Sequence, residues 1–209
     1  MSNLDSTKIF DKFDVQVDDQ WSFSESRSIH TWTHGYHRYP AKFIPQLVKK
    51  LIEEFAQPGY LIADPFAGCG TTLVECKVHG YESIGVDINP VAELITKAKI
   101  TPIEPQILKN HITTILPVLS EKQSLDVDVL PVNNRIDYWF STETKQQVSN
   151  IYSQILEISN IEVKNFFLTA LSNILKTSSR WLQDSTKPQI DKKKKVSDPL
   201  QLFISQIKM

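Results

Sequence analysis

The stretch DPFAGCGTT, from Asp64 to Thr72, decides how this chain folds. A short apolar run, Tyr60 to Ala63, precedes it, and the segment from Thr71 to His79 has helical character. The two glycines between them allow the backbone to turn tightly. The pattern predicts a buried strand that ends at Asp64, then a turn, then a helix that begins at Thr71.

The segments on either side extend this pattern. An amphipathic helix is predicted from Ile44 to Phe55, a second buried strand from Ser83 to Val86, and another helix from Asn89 to Lys99. This order of elements predicts a parallel βαβ unit. Ligands of such sheets bind at the carboxyl ends of the strands, where Asp64 and Asp87 both stand.

The chemistry of the turn favours an adenosine compound that carries a carboxylate. The predicted helix presents unpaired N–H groups and a partial positive charge at Thr71, which favours an anion. Asp87, which follows Asp64 by 23 residues, can accept both ribose hydroxyls. NAD is disfavoured because Leu73 stands where a third glycine is needed, and ATP because no lysine follows Gly70. S-adenosylmethionine remains, and a turn that merely connects two elements is the less favoured alternative.

Length and composition place the chain among ordinary globular proteins. It has 209 residues, a formal net charge of −1 and two cysteines, so a disulfide framework is excluded and a reducing cytoplasm is expected. No apolar run approaches the roughly 18 residues of a membrane span, and the polar N-terminus does not match a secretory signal. A net charge near zero excludes a globally basic nucleic-acid binder but is compatible with a basic face.

Composition also predicts three parts. Residues 1–26 form a polar N-terminal arm, and residues 27–100, which contain all six glycines, form the S-adenosylmethionine-binding βαβ region. Residues 101–209 are predicted to be mainly helical. Within that part, helices are predicted over residues 106–119, 148–158, 166–175 and 199–209, and a short strand over residues 126–130.

Three segments resemble the exocyclic-amino DNA methyltransferases, which make N4-methylcytosine or N6-methyladenine. They are His37 to Pro45 (HRYPAKFIP), Asp64 to Thr72, and Gly85 to Pro90 (GVDINP). The resemblance is strong over residues 30–100 and weaker beyond, where Lys187 to Asp191 is similar to a piece of the family's helical insertion. It implies an α/β fold, namely a partial class I (Rossmann-like) methyltransferase sheet with a helical C-terminal insertion. Residues 101–209 would be that insertion, in an incomplete catalytic domain. The resemblance also implies S-adenosyl-L-methionine as cofactor, double-stranded DNA as partner and a restriction–modification setting.

The resemblance implies roles for residues in and after the turn. Phe66, Gly68 and Gly70 would form the cofactor loop. Thr71 and Thr72 would begin the helix that faces the methionine carboxylate. These roles agree with the preference of a helix N-terminus for a carboxylate.

Further cofactor contacts are implied outside the turn. Asp87 would hold the ribose, Ile88 would pack on the adenine, and Asp64 would contact the cofactor amine. The family's other cofactor-binding segment, near the methionine moiety, corresponds to Lys42, Phe43 and Pro45.

The family's catalytic element is absent from this sequence. That element is an Asp, Asn or Ser followed by Pro-Pro and an aromatic residue, on which the flipped target base stacks while its amino group is positioned. The sequence contains no Pro-Pro, so no catalytic residue is assigned. We therefore expect a cofactor-binding half that works with a second polypeptide, which the apolar stripes of the later helices would face. The alternatives are an RNA amino-methyltransferase, which shares the turn, and a non-catalytic or truncated fragment that binds cofactor or DNA.

The remaining charged and histidine residues give weaker signals. No metal site is predicted, because the histidines His30, His34 and His37 have no acid or cysteine near them in sequence; packing or phosphate contact is favoured. The run Lys192 to Lys195 is interpreted as a solvated loop. Arg38, with Lys42 or the lysine run, is an alternative contact for DNA phosphates.

Overall fold

The computed structural model describes residues 18–24, 31–120, 129–131, 133–182, 185 and 187–208. A short 3-10 helix covers Asp19–Trp21, and the strands are β1 (Leu61–Asp64) and β2 (Glu82–Gly85). The α-helices are α1 (Pro45–Phe55), α2 (Thr71–Val78), α3 (Pro90–Ile100), α4 (Pro105–Ser120), α5 (Asn134–Trp139), α6 (Thr142–Leu156), α7 (Ile161–Leu175) and α8 (Pro199–Ile207). In this described part of the chain, no helix has the length and apolar character needed to span a membrane.

The predicted β–α–β order is confirmed by a parallel pair of strands. Leu61 pairs with Glu82 and Asp64 pairs with Gly85, so both strands end at the same edge of the sheet. Local sequence signals mark where two helices begin. Pro45 is the first residue of α1, and the Asn89 side chain caps α3 by accepting a 3.0 Å hydrogen bond from the Val91 amide. The chain is therefore a mixed α/β protein with a two-stranded parallel sheet.

One face of the sheet is covered by α1 and α2. Ile62 of β1 packs against a buried cluster of Val48, Ile52 and Cys76. A Cβ atom placed on Gly85 of β2 would lie 2.8 Å from a methyl carbon of Leu73, so α2 sits close against this strand. The covered face is therefore tightly packed.

The opposite face of the sheet is open to solvent. Leu61 is 56% exposed, Ile84 is 52% exposed and Val86, directly after β2, is 59% exposed. The prediction that both strands are buried is wrong for the described chain. The apolar strands are typical of a parallel sheet with helices on both faces, but among the described residues only one layer of helices packs on this sheet.

The helical region closes around its own core. Phe167, Phe203 and Ile155 are each fully buried where α6, α7 and α8 meet. The expectation that the apolar stripes of these helices face a partner is therefore wrong, because the stripes face one another. Helix α7 also packs along α3, which joins the helical region to the sheet region.

Two local features of the C-terminal half were not predicted. Helix α5 forms where no helix was predicted, capped by Asn133, whose side chain accepts a 2.9 Å hydrogen bond from the Arg135 amide. Trp181 and Ile190 form an antiparallel bridge. Most of the strand predicted over residues 126–130 lies outside the described residues.

The described part of the N-terminal arm contacts α1. Trp21 stacks on Phe55 with ring centroids 6.3 Å apart, and the Lys50 ammonium lies 4.6 Å from the centre of the Trp21 ring. Lys50 also donates a 2.7 Å hydrogen bond to the Gln20 carbonyl. These contacts attach residues 18–24 to the outer side of the helix.

Candidate cofactor site

The loop between β1 and α2 has a backbone shape that requires glycine. Gly68 and Gly70 have φ angles of +51° and +75°, in the left-handed region. A Cβ atom on Gly70 would lie 2.7 Å from the Thr96 side chain, which is closer than atoms pack. At Gly68 the corresponding atom would meet the Tyr39 ring at 3.4 Å. The loop therefore lies between α3 and the residue-39 segment.

The two strand-end carboxylates hold the loop from opposite sides. Asp64 accepts hydrogen bonds from the Phe66 amide at 3.0 Å and from the Thr72 hydroxyl at 2.6 Å. Asp87 accepts from the Gly68 amide at 2.8 Å and from the Asn89 amide at 2.8 Å. A carboxylate has about four lone-pair positions, so Asp87 retains acceptor capacity for a ligand beside the loop.

The N-terminus of α2 has unpaired polar groups. Gly70 occupies the cap position and provides no side-chain cap, so the first N–H groups of the helix have no partner within it. The Thr71 hydroxyl oxygen is buried and has no hydrogen-bond partner among the described residues. Unpaired donors and the helix dipole together suit a carboxylate ligand.

Helix α3 holds the back of the loop through two residues that the sequence analysis missed. The Thr96 hydroxyl donates to the Gly68 carbonyl at 3.1 Å, and the Lys99 ammonium donates to the Cys69 carbonyl at 3.1 Å. Lys99 is buried, and this burial lowers its pKa. The sequence did contain a signal for these two residues: Thr96 and Lys99 are three residues apart on the apolar side of a helix, and a buried lysine needs a hydrogen-bond partner.

Tyr39 is the third missed residue. Its ring contacts the position of Gly68, and its hydroxyl accepts a 3.4 Å hydrogen bond from the Asn89 side chain. By contrast, the Lys42 ammonium donates to the His34 carbonyl at 3.3 Å. Within the motif HRYPAKF it is therefore the tyrosine that reaches the loop.

The other predicted site residues are placed as follows. Phe43 is 57% exposed, and Pro45 is buried at the first position of α1. Phe66 is 87% exposed and Ile88 is fully exposed. Phe66 lies two residues before Gly68, and Ile88 directly follows Asp87, which is hydrogen-bonded to Gly68. Two bare apolar side chains next to polar groups are suited to contact a flat ring.

His34 and His37 both pair with other side chains of this chain. His34 lies fully buried with its Nε2 2.7 Å from a Glu75 carboxylate oxygen, and the His37 Nε2 lies 3.1 Å from the Ser172 hydroxyl. Burial lowers the pKa of His37 to about 4. Packing, rather than phosphate contact, is therefore confirmed for these two; His30 lies outside the described residues. Within the described ranges, no group of three or more His, Cys, Asp or Glu side chains is arranged to hold a metal ion.

A cavity of about 320 Å³ adjoins the loop. Asp87, Gly68 and Leu73 line it together with residues of α3. A cavity of about 380 Å³ lies elsewhere, beside Trp32 and Phe166, and no carboxylate lines it. The smaller cavity is the candidate site because it contains the acceptor that a ribose diol needs.

Known proteins resemble this chain in sequence. Residues 2–98 match a family model described as DNA methylase. The type II methyltransferase M.MvaI of Kocuria varians is 36% identical over 179 residues, which are 80% of this chain and 39% of that protein. M.MjaII of Methanocaldococcus jannaschii is 45% identical over 83 residues, which are 40% of this chain and 16% of that protein. M.AvaI of Anabaena variabilis is 28% identical over 165 residues, which are 77% of this chain and 34% of that protein. The chain thus spans well under half of each relative, and no solved structure matches it.

Proposed function

The chain belongs to the exocyclic-amino DNA methyltransferase family, and on that premise we propose that it is the S-adenosylmethionine-binding half of a site-specific DNA methyltransferase. The proposed product is N4-methylcytosine or N6-methyladenine in double-stranded DNA, in a restriction–modification system. The two-stranded sheet would be part of a class I, Rossmann-like methyltransferase sheet, with residues 101–209 as its helical insertion.

The observation that carries this proposal is the position of Asp87 beside the open start of α2. Asp87 is hydrogen-bonded to the Gly68 amide at 2.8 Å, and Thr71 brings a buried hydroxyl without a described partner to the first turn of α2. The donor set fits an adenosine with a carboxylate: Asp87 would accept the ribose hydroxyls, and the helix N-terminus would bind the methionine carboxylate. When bound, S-adenosylmethionine supplies an electrophilic methyl group on a sulfonium.

The residues of this chain would orient the cofactor rather than activate the target base. Asp64 and Asp87 fix the loop from the two strand ends, and Thr96 and Lys99 fix its carbonyls from behind. A loop held at both strand ends and from behind is preorganised, which reduces the entropy lost when a ligand binds. Base positioning needs the Pro-Pro-aromatic element, which this sequence does not contain.

We propose that a second polypeptide provides the catalytic element. The relatives are more than twice as long as the part that this chain matches. A complementing half would pack on the open sheet face, where Leu61, Ile84 and Val86 are exposed. The burial of such a face is the ordinary condition of parallel strands.

Asp87→Asn tests the cofactor site. Calorimetry with S-adenosylmethionine should show affinity falling about 10- to 100-fold, because hydrogen bonds to a charged acceptor contribute roughly 1.5–3 kcal/mol. The matched control is Glu82→Gln, which removes a carboxylate from the exposed start of β2, the strand that precedes Asp87. Equal affinity of the wild type and Asp87→Asn would rule out the ribose role, and a thermal melt of each variant checks that it is folded.

Transfer of labelled methyl groups tests the half-enzyme. The chain by itself should methylate nothing, because the base-positioning element is missing; co-expression with the portion of a relative that it does not match should restore transfer to duplex DNA. Transfer by the pure chain would contradict the proposal. Transfer to RNA instead of DNA would favour an RNA amino-methyltransferase, and cofactor binding without transfer in every combination would favour a non-catalytic fragment.

A further inference from the structure

A group of lysines lies outside the cofactor site, on the segment that returns from Trp181 to α8. Residues 187–195 contain five lysines and one aspartate, so their local charge is +4, whereas the whole chain has a net charge of −1. Lys187, Lys192, Lys193 and Lys195 are exposed. None of these four forms an ion pair with a described carboxylate.

The backbone that carries these lysines is held in a hairpin. The Leu182 amide donates to the Gln189 carbonyl at 2.8 Å, and the Asp191 amide donates to the Arg180 carbonyl at 2.9 Å. The Trp181 ring stacks on Trp139 of α5, with centroids 5.2 Å apart and ring planes 25° apart. We call residues 180–182 and 187–195 the basic hairpin. Its described residues are attached to the helical region through an aromatic stack.

Two inner lysines stabilise the hairpin itself. The Lys194 ammonium donates to the carbonyls of Lys176 and Trp181, at 3.1 and 2.9 Å. The Lys176 ammonium lies 5.3 Å from the centre of the Trp181 ring and donates to the Ser185 carbonyl at 3.2 Å. These inner lysines satisfy backbone acceptors, whereas the four exposed lysines do not contact a carboxylate of the described chain.

A series of contacts links the hairpin to the segment that packs on the cofactor loop. At the end of α7, the Asn173 side chain accepts a 2.9 Å hydrogen bond from the Arg38 amide, and Lys176 follows one turn later. Tyr39, the next residue after Arg38, contacts the position of Gly68 in the loop. A continuous series of contacts therefore connects the loop to the hairpin, and Arg38 is exposed along it.

We propose that the basic hairpin, together with Arg38, binds the phosphate backbone of duplex DNA. The inference rests on the proposed function and adds the surface that positions the DNA. Exposed ammonium groups that are not neutralised by carboxylates release counterions when they bind phosphates, and such contacts fix orientation without reading sequence. The solvated-loop interpretation does not explain why a basic segment is held by a stacked tryptophan pair and two inner lysines.

The test is a salt titration of DNA binding by the triple variant Lys192→Gln, Lys193→Gln and Lys195→Gln. Fluorescence anisotropy with a 20-base-pair duplex of mixed sequence should show about 10- to 100-fold weaker binding at low salt. The slope of log K against log salt concentration should become shallower by about 2–3, because each lost phosphate contact contributes roughly 0.9.

A charge-matched control separates the surface from net charge. Lys49, Lys109 and Lys208 are exposed at other places in the fold, and their triple replacement by Gln removes the same charge. This control should keep the wild-type slope. Equal slopes for wild type and the hairpin variant, or equal losses in both triple variants, would overturn the proposal, as would tighter binding of a 20-nucleotide RNA.

Cofactor binding separates this inference from the proposed function. The hairpin variant should bind S-adenosylmethionine with the wild-type affinity, because the loop and Asp87 are unchanged. A wild-type chain that binds DNA with the predicted slope but binds no S-adenosylmethionine would contradict the cofactor assignment only. A chain that binds S-adenosylmethionine but shows no hairpin-dependent DNA binding would contradict the hairpin assignment only.

Discussion

The sheet region and the helical region bury their apolar residues to very different extents. In the helical region two phenylalanine side chains, Phe167 and Phe203, are fully buried among α6, α7 and α8. In the sheet region the strand residues Leu61 and Ile84 are more than half exposed. Helices satisfy their own backbone hydrogen bonds and need only one covered stripe, whereas parallel strands need neighbours at both edges and cover on both faces.

The difference shows which part of the chain is self-sufficient. The helical core supplies most of the burial, and α7 extends it to α3 and the back of the cofactor loop. The sheet is attached to that core by one face. The loop is thus held rigidly while the opposite face of the sheet stays open.

The largest effect should come from truncating the closed core. Phe167→Ala should lower the free energy of unfolding by about 3–5 kcal/mol, because a fully buried aromatic ring leaves a cavity. Ile84→Ala, on the open face, should lower it by less than about 1 kcal/mol. Urea unfolding followed by circular dichroism measures both. Equal losses would show that the sheet face is covered in solution and that the two regions bury their apolar residues alike.

An intermediate loss of stability is expected when the packed loop at Gly70 is changed, compared with the unpacked turn at Gly80. Gly70→Ala adds a Cβ atom 2.7 Å from Thr96 at a φ angle of +75°, so we expect a loss of about 2–3 kcal/mol from left-handed strain and the clash. Gly80→Ala is the matched control, with a φ angle of +78° and no atom within 4 Å, and should lose only about 1 kcal/mol. Thermal unfolding compares them. Similar losses would mean that Thr96 does not hold the loop tightly.

The smallest effect concerns His37, at the junction of the two regions. Burial, with the charges of Lys99 and Lys42, lowers its pKa to about 4. The unfolded chain therefore binds more protons than the folded chain between pH 6.5 and 4, so the free energy of unfolding should fall as the pH is lowered through that range. Above pH 6.5 the buried, neutral His37 makes its full contribution to the free energy of unfolding. In urea titrations, His37→Gln should make the free energy of unfolding less dependent on pH in this range. An unchanged pH dependence would show that folding does not lower the pKa of His37.

Local features of the structure could be predicted from the sequence. Pro45, the Asn89-Pro90 pair and the glycines after Asp64 set where elements begin and turn, and these signals act over a few residues. The later helices followed from apolar residues at helical spacing. Helix α5 was missed because its six residues carry no periodic apolar stripe.

Contacts between distant segments could not be predicted in this way. Tyr39 and Gly68 meet across 29 residues of sequence, and Lys99 meets Cys69 across 30. Propensity and periodicity describe neighbours along the chain, so they do not report which side chains of α3 turn toward the loop. For the same reason, buried strands were expected where the described chain has only one covered face.

Turns, caps and apolar periodicity are properties of adjacent residues, so the order of strands and helices, the glycine loop and the acid at each strand end can be recognised from the sequence. The hydrogen bond between Asp87 and Gly68, the contacts of Thr96 and Lys99 behind the loop, and the mutual burial of the later helices are visible only in the folded chain. Those outcomes depend on how whole elements pack, because a buried polar group must find its partner wherever the fold places one.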